Sequence, residues 1–427
     1  MRQPKLKAGA LLSVLGIALI IALLLGAMLL LLYYNRKDNT QALRALKLER
    51  NLQSATTLLL SKPYSATTGP AETLDLYHEG TDSVQLQQYP WGIYEIALAS
   101  AFENSDTLRK AFIKGRQINP AKAYVLYLKD DDRPLSVSGS TLIRGTAYLP
   151  PAGTRKAYIE DKAYQSDSTI FGPSKESEKS LPAVNAGLIA QLKQLAFDSL
   201  ASHMTTAIPF ETIQDSLSRS FFQEPLLISS SDSISLENMT LKGAIILVSK
   251  KAINVASSAN IEQVILVAPS IHIADDFSGN LQAFAQDSLR VGQDCILSYP
   301  SVLGLLETRA ENAVQEFTPE MNIGKNSTIH GIVFSAAART NTDFMNRISL
   351  QPGSLIKGEV YADGLLEAKG SIHGSTACQR FMLRTPSSLY DNFLLDAQLD
   401  YSERSRYYLG SALLQVTSKG GVIKWLH

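Results

Sequence analysis

The chain is poor in cysteine: Cys295 and Cys378 are the two in 427 residues, too few for a disulfide scaffold or a four-thiolate zinc site. It has no surplus of charge, with 40 Lys and Arg against 40 Asp and Glu. That removes the basic excess that phosphate-backbone binding needs, so no nucleic-acid partner is expected. HExxH, GxSxG, P-loop and Rossmann fingerprints are absent, and the six histidines are scattered. No catalytic, cofactor-binding or metal-ligating residue is therefore assigned, no cofactor is expected, and the chain reads as a non-enzyme. Apolar residues are not scarce: at 45% hydrophobic a wholly disordered chain is excluded. The length exceeds one typical domain of roughly 100 to 200 residues, so an anchor followed by two or more folded units is expected.

The anchor is a single uncharged run, Ala8 to Tyr34, AGALLSVLGIALIIALLLGAMLLLLYY. As a helix it would reach roughly 40 Å, enough for a hydrocarbon core of about 30 Å. A transmembrane helix is placed at 10–33, behind a short basic cytoplasmic segment at 1–9 that carries Arg2, Lys5 and Lys7. Ser13 can bond back to its own helix, and Tyr33 and Tyr34 suit an interfacial aromatic belt. The apolar core of a cleaved signal peptide would be shorter and would end at a small-residue site, whereas this run ends Leu-Leu-Tyr-Tyr. Small residues recur at four-residue spacing, as Gly9 with Ser13 and as Ala18, Ala22 and Gly26, a spacing that suits a small-xxx-small helix-pairing face and that so Ala- and Gly-rich a run also produces by chance. The basic leading cluster points to a single-pass cell-membrane protein, N-terminus cytoplasmic and C-terminal domain outside, with the lipid bilayer as its first partner.

From 38 to 61 the chain keeps helical periodicity in Leu43, Leu46, Leu52, Ala55 and Leu59, and Pro63 ends it. A membrane helix running into an amphipathic one resembles type IV pilins and pseudopilins over the first 60 or so residues. The family's Gly-then-Glu motif is not matched: Gly9 would place Val14 where the Glu belongs. The resemblance implies a minor pilin-like component of a type IV pilus or a type II secretion-like machine. Residues 64–134 mix helical-looking IYEIALASAFEN with strand-like AYVLYL at 123 to 128 and are expected to form a small α/β unit near the membrane. Asp130, Asp131 and Asp132 have no spaced partner ligands and read as a solvated turn.

The most informative feature is a repeat. Ile143-Arg144-Gly145, Leu241-Lys242-Gly243, Ile329-His330-Gly331, Ile356-Lys357-Gly358 and Ile372-His373-Gly374 all read apolar, basic, glycine. An apolar side chain would point into a stacked core, the basic one to water, and glycine would allow the bend into the next face. Set among short strands such as AIILV, AINVA and VILVA, the triplets look like rungs of a β-solenoid. The fold class is thus mainly β, with a helical insertion in the C-terminal solenoid domain. Residues 135–182 hold an outlying rung and a polar linker, 183–225 the helical insertion with a helix from Ala186 to Met204, 226–380 the solenoid, and 381–427 a C-terminal cap.

The segment 353 to 374 is similar to bactofilins and related polymer-forming β-helical proteins, although those are short and uninterrupted. Two hexad-like segments, Val291 to Ile296 and Ile323 to Ile329, resemble left-handed β-helix acyltransferases. That alternative, an envelope acyltransferase, would use His330 as general base. Several rungs would separate Cys295 from Cys378, so both are expected as buried thiols rather than a disulfide. The function expected is a membrane-anchored, non-enzymatic structural or assembly protein of the cell envelope. Its solenoid would meet protein or cell-envelope partners, self-association included.

Overall fold

The computed structural model describes residues 8–65, 67–78, 80, 82–104, 106–194, 207–307, 318–336, 345–414 and 418–426. The basic segment before Ala8, and Leu195 to Met204 of the expected insertion helix, lie outside the described residues. The chain divides into two compact units, one of residues 1–58, 71–86 and 99–110, the other of 59–70, 87–98 and 111–427.

In the first unit a single helix, α1 (Ala8–Ser61), is unbroken for 54 residues, or about 80 Å. No proline interrupts it before Pro63, and Ser13 Oγ donates to the Gly9 carbonyl at 3.0 Å, as its apolar setting requires. Its stretch from Leu11 onward is long and apolar enough to cross a membrane. The amphipathic face starts later than the leucine spacing suggests, because Leu43 and Leu46 are 67% and 69% exposed. The buried ridge is Leu48, Asn51, Leu52 and Ala55, at the i, i+3, i+4, i+7 spacing of one helix face.

Strands β1 (Glu72–Leu74) and β2 (Asp82–Trp91) pair antiparallel through Leu74 and Val84. Asp82 caps the polar side of the ridge, accepting from Asn51 and lying 3.2 Å from Lys47 Nζ. β3 (Tyr94–Glu103) and β4 (Asp106–Arg116) continue the sheet, which ends on the C-terminal strand Gly420–Leu426.

That sheet corrects the expected α/β unit: IYEIALASAFEN is strand from Tyr94, and among the described residues between 64 and 134 the one helical turn is Pro120–Lys122. Its Ala and Leu carry helix propensity, but every residue from Tyr94 to Ala99 is buried. Pairing with both neighbours and burial on both faces override a weak local preference. The C-terminal segment is likewise no mere cap: its last strand pairs antiparallel with β4, Leu426 opposite Ala111 and Gly420 opposite Arg116.

The second unit is dominated by parallel strands linked into one closed sheet. Its long members are β5 (Asn260–Ile273), β6 (Ser278–Val291), β7 (Ile296–Leu306), β8 (Thr328–Ala336), β9 (Leu355–Ala368) and β10 (Ser371–Arg384). Equivalent residues stack in columns. Leu297, Ile329, Ile356, Ile372, Leu399 and Ile143 follow one another in register, all with 0% exposure in the interior core.

Gly331, Gly358 and Gly374 stack beside them at φ of +150°, +151° and +154°. A methyl group on Gly358 would strike the carbonyl oxygen of Gly331, and one on Gly374 that of Gly358, so the bend admits no side chain. At another corner Asp276, Asp294, Asn326 and Gly353 take φ of +60°, +55°, +57° and +79°; Asn and Asp tolerate that region better than other side chains. The two hexad-like segments form part of this corner, Val291 opposite Ile323 and Asn326 Nδ2 donating to Asp294 Oδ1 at 3.2 Å.

On the longest apolar strands both faces are buried. Val264, Leu266 and Ala268 point into the interior core, whereas Ile265 and Val267 join a second core with Phe284, Phe334, Trp91, Tyr94 and Leu188. That is why AIILV and VILVA do not alternate.

The ladder's limits differ from the expected 226–380. It begins with Ile208–Pro209 and Ser216–Arg219, parallel to Leu226–Ser230 and Thr240–Gly243, where a helical insertion was expected. The described helix there, α2 (Ala186–Lys193), has eight residues, capped by Asn185 Oδ1 on the Leu188 amide. At the far end Gln398–Asp400 and Leu142–Arg144 continue the ladder, so the Ile143 triplet is joined to the others rather than outlying. Cys295 and Cys378 are both buried free thiols.

Candidate functional site

The column next to the isoleucines is His330, Lys357 and His373, adjacent on three successive strands. Neighbouring strands are about 4.8 Å apart, so the three side chains form a short basic row set by the ladder's own register. Ile356 beneath them is fully buried and Lys357 is exposed, while His330 and His373 are half-buried. The reason lies in a cleft of about 630 Å³ whose lining includes this row, Tyr299, Arg404 and Tyr408.

The opposite wall comes from the segment after Gln398–Asp400. Tyr408 donates to the Gly331 carbonyl at 3.3 Å, and Tyr299 to the Leu409 carbonyl at 2.7 Å, with the two rings 5.5 Å apart. Arg404 lies over Tyr401 at 4.4 Å and over Tyr408 at 5.5 Å, within the range of cation–π attraction. Its Nε and Nη1 are buried and have no hydrogen-bond partner among the described residues. Lys357 lines the same cleft and has no ion-pair partner among the described residues. Burial, with the charge of Lys357 added, holds the His330 imidazole below its ordinary pKa, as expected where a cation and a desolvated ring share one wall. Glu403 is the one acid of the lining, and the Tyr407 ring stands at the mouth, 85% exposed.

Behind the tyrosines is Glu359, one residue past the glycine bend and 2% exposed. Burial raises its carboxyl to about 7, opposed by Arg404, and its Oε2 has no hydrogen-bond partner among the described residues. Neither Glu359 nor Arg404 carries a motif; the sequence signal that existed was the Tyr-Tyr of 407 and 408 beside Arg404 and Arg406.

The remaining sequence candidates sit elsewhere. Asp131 pairs with Arg380 at 2.6 Å and Lys129 at 3.5 Å, while Asp130 Oδ1 accepts from the Asp132 amide at 2.9 Å, a turn tied to β10. Among the described residues no group of three or more His, Cys, Asp or Glu is placed to hold a metal ion.

No protein-family model matches the chain, and no curated protein matches it. Among solved structures, the competence-associated pilin ComZ from Thermus thermophilus aligns with 91% of this chain and 95% of its own, at 8% identity and a TM-score of 0.24. A score that low does not establish a common fold.

Proposed function

We propose that the chain is a membrane-anchored, non-enzymatic assembly protein of the cell envelope. In this reading α1 enters the bilayer with its N-terminus cytoplasmic, and the parallel ladder is a β-solenoid that presents its outer faces to protein or envelope partners, further copies included. The observation that carries it is the exposure of α1: from Leu11 to Tyr34 the large apolar side chains are 51% to 79% exposed, far more apolar surface than a soluble monomer leaves in water. Lipid or other apolar helices must cover it. Carbonate washing of membranes should leave the chain in the pellet, and pull-down from mild detergent should recover envelope components with it. Release by carbonate would remove the anchor, and recovery as a lone monomer across several detergents would remove the assembly role.

A second reading, a minor pilin-like subunit, is favoured by one arrangement in the first unit. The lower part of a single unbroken helix is tied to antiparallel strands by Lys47 with Asp82 at 3.2 Å and Lys110 with Glu49 at 2.7 Å. This reading requires maturation near Gly9 by a prepilin peptidase. Mature protein that still begins at Met1 in a peptidase-competent cell would exclude it.

A further inference from the structure

We propose that the cleft beside His330, Lys357 and His373 binds an anionic saccharide, a pyranose unit bearing a carboxylate or phosphate. The charge half of the argument rests on Arg404. A guanidinium with two buried nitrogens that have no hydrogen-bond partner among the described residues has N–H donors still to satisfy, and leaving them unmade is costly. Its planar fork suits the two oxygens of a carboxylate or phosphate. Lys357 lines the same cleft and has no ion-pair partner among the described residues, so the lining carries two permanent cations and two histidines against one acid, Glu403, with Glu359 buried behind Arg404. Tyr299 and Tyr408 already give their hydroxyl protons to the Leu409 and Gly331 carbonyls, which leaves their oxygens free to accept from sugar hydroxyls.

The saccharide half rests on the rings. Tyr407 stands 85% exposed at the mouth, an aromatic face with nothing packed on it. The C–H face of a pyranose is apolar and flat enough to cover such a ring, while its edge carries hydroxyls toward polar walls. The cleft's 630 Å³ lies within the range of ordinary small-molecule sites. The walls are held by ladder register and by the Tyr408 bond to Gly331, so little ordering is needed on binding.

This inference stands apart from the anchoring and assembly reading, and its failure would leave that reading intact. The test is calorimetric titration of the full chain in detergent with glucuronate, glucose 6-phosphate, inorganic phosphate and glucose. The expected result is that at least one anionic sugar binds about tenfold or more tightly than either phosphate or glucose. Arg404→Gln and Lys357→Gln should each weaken that binding by about tenfold with the thermal midpoint held. Tyr407→Ala, at a ring 85% exposed, should weaken the sugar and leave phosphate unchanged, which keeps the test decisive if Arg404→Gln disturbs folding. No binding by either anionic sugar, equal binding of inorganic phosphate or of glucose, or full affinity in Tyr407→Ala would overturn the proposal. Tighter competition by a single-stranded oligonucleotide than by either sugar would do so as well.

Discussion

Strands β9 and β10 and strand β3 are all well-buried strands in one protein, yet only the first two announce themselves in sequence. In Ile356-Lys357-Gly358 each residue meets a different environment: a closed core, open water, and a left-handed bend that excludes any side chain. Three environments in fixed order force three residue types in fixed order, and stacking repeats the order in Ile372-His373-Gly374. From Tyr94 to Ala99 every position is buried, Tyr94, Ile96 and Leu98 in an apolar core and Glu95 in an ion-pair cluster, so no exposed residue alternates with the buried ones. A sequence period reports a one-sided environment; a strand covered on both sides erases it.

The comparison is broken hardest at Ile356. Its side chain is held between Ile329 and Ile372 in the column, at 0% exposure, with no basic group inside that core to meet a charge. Ile356→Asp should cost up to about 5 kcal/mol, read as a drop in the urea midpoint. A loss under about 1 kcal/mol would mean that the column is not a packed core.

In the antiparallel region the matching test is polar. Arg116 Nη2 lies 2.5 Å from Glu95 Oε2, with Lys114 Nζ at 3.8 Å, and all three side chains are at most 2% exposed. Burial pushes the Glu95 carboxyl above its ordinary range, and Lys114 and Arg116 oppose that push. Arg116→Met should strand the carboxylate and cost about 4 kcal/mol. Arg116→Met combined with Glu95→Leu and Lys114→Met should recover most of the loss, since an apolar replacement of all three charges leaves no buried ion unpaired. If the triple variant is as unstable as the single one, the cluster is acting through shape rather than charge.

These two sites also mark how far the sequence could be read. The exposed apolar part of α1 and the inward isoleucines of the triplets were legible, because lipid-length apolarity and the apolar-basic-glycine order are local. The start of the buried helix face was not, since Leu43 and Leu46 fit the same period as Leu48 and Leu52 and only the neighbouring strands decide which are covered. Ladder members such as Leu217, Ile261 and Leu399 lack the basic-glycine signature, and the ladder therefore reaches beyond the segment that carries it. In the cleft, His330 was visible through the triplet. Arg404 and Glu359 were not: what makes each notable is the absence of a partner, a property of the folded surroundings.

Glu359 tests the buried side of the comparison by pH. Its carboxyl faces Arg404 and the hydroxyls of Tyr94, Tyr124, Tyr299, Tyr401 and Tyr408, and burial lifts it from the ordinary 4.5 to about 7. Between those values the unfolded chain has released its proton while the native chain keeps it. Stability must therefore fall as pH rises through that window and level off above it. The fall should total about 3 kcal/mol, measured by urea unfolding at pH 4.5 and pH 8. Glu359→Gln cannot ionise and should lose that part of the slope, which makes it more stable than the parent at pH 8. An unchanged slope would assign the pH dependence to other groups.

The smallest effect is expected where ladder and antiparallel sheet share a solvated ion pair. Glu262 on β5 lies 3.6 Å from Lys242 one rung away and 2.8 Å from Lys424 on the C-terminal strand, with all three side chains 40% to 43% exposed. The hydrogen bond from Lys424 holds the Glu262 carboxyl below its ordinary range despite partial burial, and Lys242 adds to this. Water screens all of these charges, and the long lysine chains lose rotamer freedom to reach the acid. Glu262→Gln should therefore cost only about 0.5 kcal/mol at low salt, and that difference should vanish near 1 M salt, where the screening length is about 3 Å. A loss several times larger, or one indifferent to salt, would show that the C-terminal strand depends on this pair for its place, rather than on the backbone ladder it makes with β4.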